Sequence, residues 1–84
     1  MKNSQIGAIF EKIADILEIE GENPFRIKAY RRAAKAIQDT AKDAADLAKK
    51  DELVKLPGIG KDLASKIKEF LKTGKISTYE KLKK

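Results

Sequence analysis

A lysine that follows a glycine-rich turn is the side chain of this protein best placed to do chemistry. The stretch LPGIGKDLASKIKEFL (Leu56–Leu71) joins a Pro-Gly-x-Gly turn to an amphipathic helix pattern that contains Lys66. At about 100° per residue, Lys66 falls beside the apolar sector, so its stem should pack while its amine emerges at the edge of the core. Partial desolvation and nearby cations favour the neutral amine, which can attack an aldehyde and form a Schiff base. A lysine whose stem is buried only for packing gives the same pattern.

The turn itself has the features of a phosphate site. Gly58 and Gly60 leave its backbone unobstructed, so that its amide hydrogens can point outward together. The helix that begins at Lys61 adds unpaired N–H groups and a partial positive charge. We expect Ile59, between the glycines, to anchor the turn in the core. A Pro-Gly-x-Gly segment can equally be only a tight connection, and the turn alone does not decide between the two interpretations.

A second group of candidate ligand-binding side chains lies in the helix pattern before this turn. One face of that helix is basic and carries Lys28, Arg31, Arg32 and Lys35. Arg26 falls outside this face, one turn before Tyr30 and near the apolar arc. We therefore expect Arg26 and Tyr30 to form a partly buried pair that points at the ligand. In the alternative interpretation, Tyr30 is a core aromatic with its hydroxyl at the surface.

Composition excludes several classes of chemistry and of location. The 84 residues include no Cys and no His, which removes the usual zinc, thiol and histidine-base chemistries. No apolar run approaches the roughly 20 residues of a membrane span, and the first residues lead into a helix pattern rather than a secretory signal. We expect a cytoplasmic protein with no membrane contact, associated with the nucleoid if its source is a prokaryote.

The net charge of +6 is distributed unevenly along the chain. Residues 1–23 carry 2 basic and 5 acidic side chains, residues 24–50 carry 8 and 3, and residues 51–84 carry 9 and 5. A basic excess confined to the later two-thirds suggests a surface that faces a polyanion, although solvated lysines produce the same statistics.

Apolar spacing predicts one all-α domain over residues 1–84. We expect helices over residues 4–19, 24–39, 43–50 and 61–73, a short helix from Asp51 to Val54 or Lys55, and a final short helix from Ser77. Ser4 and Asn23 are predicted N-caps, Gly74 a left-handed C-cap, and Ser77–Glu80 has capping-box spacing. A short helix, a glycine turn and an amphipathic helix form the pattern of a helix-hairpin-helix. Such an element grips the DNA backbone without reading bases, so its affinity should fall steeply with salt.

Two segments extend this interpretation to a family. GENPFRIKAYRRAAKAI (residues 21–37) and LPGIGKDLASKIKEFLKTGK (residues 56–75) together resemble the N-terminal domain of family X DNA polymerases, to which DNA polymerase beta belongs. The resemblance covers nearly the whole chain. It implies a small helical bundle that binds single-stranded or gapped, 5′-phosphorylated DNA ahead of a separate polymerase domain. We therefore expect a monomeric N-terminal fragment of a longer polymerase, without the polymerase domain itself.

The resemblance also implies site residues and an ion. Lys66 matches the lysine with which the polymerase beta domain removes a 5′-deoxyribose phosphate through a Schiff base, chemistry that requires no cofactor. Arg26 matches a lysine of the 5′-phosphate pocket, and Tyr30 a tyrosine of the lyase site. The backbone around Gly58 and Gly60 resembles one that contacts phosphate. A Na⁺ or K⁺ ion at the hairpin would be held by three backbone carbonyls, those of Val54, Leu56 and Ile59.

Four positions depart from the polymerase beta pattern. Asp62 and Thr78 stand in place of lysines of the phosphate pocket, Ser65 in place of a glutamate beside the nucleophile, and Phe25 in place of a histidine. A phosphate near Asp62 would meet repulsion, which weakens the case for lyase activity but leaves the backbone grip intact. Three hypotheses result: a DNA-docking domain, a 5′-deoxyribose phosphate or abasic-site lyase, and a protein-interaction bundle for an acidic partner.

Overall fold

The computed structural model describes all 84 residues, and helices are the only regular secondary structure, as predicted. The helices are α1 (Asn3–Ile19), α2 (Pro24–Asp39), α3 (Ala44–Lys49), α4 (Lys61–Thr73) and α5 (Ser77–Leu82), with a 3₁₀ turn at Leu53–Lys55. No helix combines the length and the apolar character that crossing a membrane requires.

The apolar stripes of α1 and α2 face each other and form one half of the core. Phe10 and Tyr30 meet edge to face, with ring centroids 5.7 Å apart. The helices run antiparallel, since the side chain of Gln38 near the end of α2 covers Gly7 near the start of α1. The largest fully buried side chains come from α1, α2, the 3₁₀ turn, α4 and the residue before α5: Ile6, Phe10, Ile13, Leu17, Ile37, Leu53, Ile67 and Ile76.

The first predicted N-cap is wrong. Helix α1 begins at Asn3 with Lys2 as its N-cap, and no side chain caps it. The neighbouring Asn3 is buried. Its side-chain amide nitrogen donates to the Lys42 carbonyl at 2.8 Å, and its side-chain oxygen accepts from Ala44 N–H at 2.9 Å. This side chain therefore joins the start of α1 to the loop that enters α3, a contact between distant segments that the local pattern cannot reveal.

The predicted start of α2 and the end of α4 are confirmed. Asn23 caps α2 by accepting from Phe25 N–H at 2.8 Å, and Gly74 ends α4 with a φ of 81°. The short helix expected from Asp51 is reduced to the 3₁₀ turn. Asp51 has a φ of 56°, and its left-handed backbone terminates α3 and cannot continue a right-handed helix.

The capping box predicted at Ser77 is also wrong, because a side chain of α4 takes its place. Ser77 is the first residue of α5 and caps nothing; its N–H donates to Glu69 Oε1 at 3.1 Å and its hydroxyl donates to Glu69 Oε2. Both hydrogen bonds lower the pKa of the Glu69 carboxyl, and the bond from the Ser77 hydroxyl has the larger effect. A tertiary contact therefore satisfies the N-terminus of α5 and ties it to α4.

Replacing Asn3 tests the role of this side chain. Asn3→Ala leaves the buried Ala44 N–H and the partly buried Lys42 carbonyl without their partners, which we expect to lower the free energy of unfolding by about 1–3 kcal/mol. Urea denaturation measures the change. Ser4→Ala is the matched control, because the exposed Ser4 makes no cap and its loss should cost no more than about 0.5 kcal/mol. Equal effects of the two substitutions would contradict the assignment.

Candidate nucleic-acid interface

The candidate site is built on a tight turn between the 3₁₀ turn and α4. Ile59 N–H donates to the Leu56 carbonyl at 3.1 Å, with Pro57 and Gly58 between them. Gly58 has a φ of 92°, and Pro followed by a left-handed Gly is the arrangement of a type II turn. Ile59 is 3% exposed, so the expectation that it anchors the turn in the core is confirmed.

Gly58 has a packing role that the sequence did not suggest. A Cβ built on it would lie 2.5 Å from Cγ and 2.9 Å from Cδ of Arg32, so the stem of Arg32 crosses directly over the turn. A side chain at this position would clash as well as strain the backbone. The glycine therefore allows α2 and the hairpin turn to approach closely and places a cation of α2 beside the turn.

Gly60 differs from Gly58 in both respects. Its backbone is extended (φ −91°, ψ −176°), a conformation open to any residue, and a Cβ added there would meet no atom within 4 Å. Nothing in the fold therefore requires a glycine at this position. Its lack of a side chain keeps the backbone accessible from outside.

The N-terminus of α4 is open to a ligand. The first bond to the helix runs from Ala64 N–H to the Gly60 carbonyl at 2.9 Å, and the N–H groups of residues 60–63 have no acceptor in the protein. By contrast, side-chain oxygens accept from the first turns of α2, α3 and α5, contributed by Asn23, Asp43 and Glu69 respectively. The hairpin thus presents a group of unpaired donors beside an unobstructed glycine, the combination that binds an anion.

The four cations predicted to share the basic face of α2 have different surroundings in the structure. Arg32 and Lys35 border a groove between α2 and the hairpin turn, and Lys28 is exposed. Lys35 also pairs with Asp39, with nitrogen and oxygen 3.0 Å apart. Lys61 is exposed at the start of α4. These four cations lie on the surface, where a polyanion can reach them.

Arg31 does not join them. Its guanidinium contacts three carboxylates of α1: Glu11 at 2.8 Å, Asp15 at 3.1 Å and Glu18 at 3.4 Å. The hydrogen bond to Asp15 is the main cause that raises its pKa. Arg31 thus holds α1 against α2, and its assignment to a ligand-binding face is corrected. The helical projection alone placed it with the other cations because it contains no information about the neighbouring helix.

The expected pair of Arg26 and Tyr30 is not formed as a buried unit. Arg26 is exposed and lies 3.6 Å from Glu22 in an ion pair one turn apart. Tyr30 is 2% exposed and packs on Phe10, which agrees with the alternative interpretation of a core aromatic. Tyr30 lies within the apolar stripe of α2 that packs against α1, whereas Arg26 lies outside it and is exposed to solvent.

Lys66 has the packed stem that was expected, but its amine has an ionic partner. The side chain is 17% exposed, and Nζ donates to Asp62 Oδ1 at 2.9 Å. Asp62 itself is 80% exposed. The amine sits in an ion pair within α4, a partner that the sequence analysis did not anticipate. This pair also offsets the negative charge that Asp62 would otherwise present to a phosphate at the turn.

The hairpin offers carbonyls rather than acidic side chains to a cation. No group of three or more Asp or Glu residues is placed to hold a metal ion. Among the three carbonyls assigned to a monovalent ion, those of Val54 and Ile59 accept no backbone hydrogen bond, whereas that of Leu56 accepts one from Ile59. Nearby, a hydrogen bond from Lys55 is the first cause that lowers the pKa of the Glu52 carboxyl.

Comparison with known protein families identifies the family to which the chain belongs. Residues 1–76 match the family model described as a helix-hairpin-helix domain. The chain belongs to the helix-hairpin-helix domain family. The matched residues include the hairpin turn and α4, on which the candidate site is built.

One similar protein relates the chain to a particular kind of DNA polymerase. Over all 84 residues the chain is 40% identical to the DNA polymerase/3'-5' exonuclease PolX of Bacillus subtilis (strain 168), in the N-terminal part of that protein. The match covers all of this chain and 14% of the relative's length. The resemblance to the N-terminal domain of family X DNA polymerases is thereby confirmed, and it supports DNA binding by the helix-hairpin-helix domain.

Sequence reasoning overlooked one functional candidate, Phe25. It had been noted only as a departure from a family pattern, yet it is 80% exposed at the start of α2, next to Arg26. The other four aromatic residues are buried or half-buried. The signal was available, because Phe25 falls almost opposite the apolar stripe of α2 at about 100° per residue.

Proposed function

We propose that this domain docks DNA by its backbone, with a phosphate seated at the hairpin turn. The observation that supports this most directly is the combination at Gly60: an unobstructed backbone followed by the unpaired N–H groups of residues 60–63. Oxygen atoms of a phosphate can accept these hydrogen bonds and gain from the partial positive charge of the α4 N-terminus. A turn that only connects two helices would need neither the unobstructed backbone nor the unpaired N–H groups.

The surrounding charges suit the same ligand. Arg32, Lys35 and Lys61 lie around the turn, and they add electrostatic attraction that does not depend on base sequence. Binding should therefore show little sequence preference and weaken as salt is added.

Phe25 favours DNA that contains unpaired bases. An exposed aromatic ring beside basic side chains is a stacking platform, since every base has a flat face that can lie on the ring. Paired bases in a duplex are not available to it. We therefore propose single-stranded or gapped, 5′-phosphorylated DNA as the substrate of docking, with the domain acting as a monomer beside the polymerase domain of a longer chain.

A monovalent cation is part of this proposal. Na⁺ or K⁺ at the carbonyls of Val54, Leu56 and Ile59 would neutralise a phosphate at the turn, and two of these carbonyls are free to coordinate. Oxygen donors are the appropriate ligands for such hard cations.

The effect of Gly60→Ala tests the docking site. We expect the added Cβ to keep the phosphate from the amides and to weaken binding of 5′-phosphorylated single-stranded DNA roughly 10- to 100-fold, because a hydrogen bond to a charged group contributes about 1.5–3 kcal/mol. Fluorescence anisotropy at low salt measures the affinity. The free energy of unfolding should fall by at most about 1 kcal/mol, since glycine is somewhat better than alanine as an N-cap.

Gly74→Ala is the matched control. Gly74 also has open space around its Cβ position, but its φ of 81° makes alanine strained by about 1–2 kcal/mol. This variant should lose stability and retain DNA affinity. Loss of affinity in both variants would show that binding only follows stability, and unchanged affinity in Gly60→Ala would contradict a phosphate at the turn.

The effect of Phe25→Ala tests the preference for unpaired bases. We expect its affinity for single-stranded DNA to fall roughly 5- to 150-fold, the 1–3 kcal/mol that one base stacked on an aromatic ring contributes. Affinity for blunt duplex DNA should not change. Ile19→Ala removes a comparably exposed apolar side chain without a ring and should affect neither ligand. A similar loss for duplex and single strand would contradict stacking.

Lyase activity is a second candidate function, supported by the position of Lys66 behind the hairpin. In this scheme the Lys66 ammonium first loses a proton to solvent, and the resulting neutral amine attacks the C1′ aldehyde carbon of a 5′-deoxyribose phosphate; water leaves as the Schiff base forms. A proton is then removed from C2′, and the C3′–O3′ bond breaks with its electron pair staying on the phosphate oxygen. The C2′ carbon that loses this proton is two bonds from Nζ, and Asp62 Oδ1 lies 2.9 Å from Nζ, so Asp62 is the carboxylate within reach of the proton. Glu69 is occupied by Ser77.

Borohydride trapping tests this chemistry on gapped DNA that carries a 5′-deoxyribose phosphate. We expect a covalent adduct with the unaltered domain and none with Lys66→Ala. Asp62→Asn should still form the adduct but release the shortened product more slowly, because proton abstraction follows Schiff base formation. An adduct that persists in Lys66→Ala would assign the chemistry elsewhere. Salt-sensitive binding without any adduct would show a docking module with no catalysis.

A further inference from the structure

A second basic surface lies on the opposite side of α4 from Lys66, between α4 and α3. A cavity of about 530 Å³ is bordered there by Lys2, Lys49, Lys68 and Lys72. Its apolar lining includes Ala45, Ala48 and Leu71. Neither the docking site at the turn nor the lyase scheme uses any of these side chains.

This cavity shares a lining residue with a smaller cavity beside the hairpin. Lys68 also borders a smaller cavity of about 300 Å³, whose other lining residues include Val54 of the 3₁₀ turn and Lys61 at the start of α4. The two neighbouring cavities together define a surface, the lysine groove, which is bordered by Lys61, Lys68, Lys72, Lys49 and Lys2. At 1.5 Å per residue, the α4 side of the groove extends about 16 Å from Lys61 to Lys72.

The charge of the groove is strongly positive. Two carboxylates border it, and each has a partner within the protein: Asp43 caps α3 by accepting from Ala45 N–H, and Asp51 accepts from Lys68 Nζ at 3.1 Å. Lys2 lies with Nζ 5.9 Å from the centre of the Phe70 ring, which directs that cation along the surface of the same helix. Of the five groove lysines, Lys68 alone has a carboxylate partner within the protein, so the other four ammonium groups are available to an occupant.

We propose that the lysine groove carries the single-stranded continuation of the DNA strand whose phosphate is held at the hairpin, a proposal that depends on the docking function above. Successive phosphates lie along the lysines of α4, and a base rests on the apolar lining between α3 and α4. Single-stranded DNA fits this combination because it offers both a regular series of anions and exposed flat bases. A folded duplex would offer only the anions.

Length dependence of binding tests the proposal. The probes are a 5′-phosphorylated trinucleotide, which covers the hairpin alone, and a 5′-phosphorylated strand of roughly 12 nucleotides, long enough at 3.4 Å or more per phosphate to cover the groove as well. We expect the longer strand to bind more tightly. In Lys49→Ala/Lys72→Ala that gain should be largely lost, and the slope of log affinity against log salt should become shallower by about 1.4, or 0.7 for each lost contact. Trinucleotide binding should not change.

Lys81→Ala/Lys84→Ala is the matched control, since it removes the same charge from exposed positions at the other end of the chain. Equal losses in the two double variants would overturn the proposal, because they would reflect net charge alone. The proposal would also be overturned if the longer strand bound no more tightly than the trinucleotide. Failure of docking gives a different result: neither probe binds the unaltered domain, or Gly60→Ala leaves trinucleotide affinity unchanged.

Discussion

Burial of Ile59 is the constraint on which the rest of the hairpin depends. This side chain lies between Gly58 and Gly60 and is almost fully enclosed in the core, so the turn cannot move as an independent loop. Because one side of the turn is held inward, the backbone on the other side faces solvent. The N-terminus of α4 therefore begins at the surface with its donors exposed, and the amphipathic stripe of α4 continues the same inward contact through Leu63, Ile67 and Phe70. Packing of one apolar residue thus positions the polar groups that can meet a ligand.

Cations of the chain divide into those that stabilise the bundle and those that are free to meet an anion. Arg31 belongs to the first group, since three carboxylates of α1 surround it. Arg32, its neighbour in the chain, belongs to the second, and its stem lies across Gly58. The acidic excess of the first 23 residues is therefore partly used to hold α2, which leaves the basic surface on the hairpin side of the molecule.

Helix ends show a similar division between local and distant control. The start of α2 is capped by the residue before it, and the cap could be predicted because Asn23 and Pro24 are adjacent. The start of α5 is capped by Glu69 of another helix, and the start of α1 uses its buried Asn3 to hold the loop before α3. At α4 no side chain performs this role. Helix α1 also lacks a side-chain cap, but only at α4 does the uncapped N-terminus follow the hairpin turn and the unobstructed backbone of Gly60, which agrees with a ligand as the missing partner.

By itself, the sequence determined the all-α class, the approximate limits of α1, α2 and α4, the buried position of Ile59 and the family, because periodic apolar residues and turn glycines act over a few neighbouring positions. Only the tertiary structure decided which cations are free, where Tyr30 and Arg26 point, and that Gly58 and Gly60 serve different purposes. These outcomes depend on which helix lies against each side chain, and a single helical projection contains no information about that neighbour. Phe25 is the exception, since its place outside the apolar stripe was already visible in the sequence.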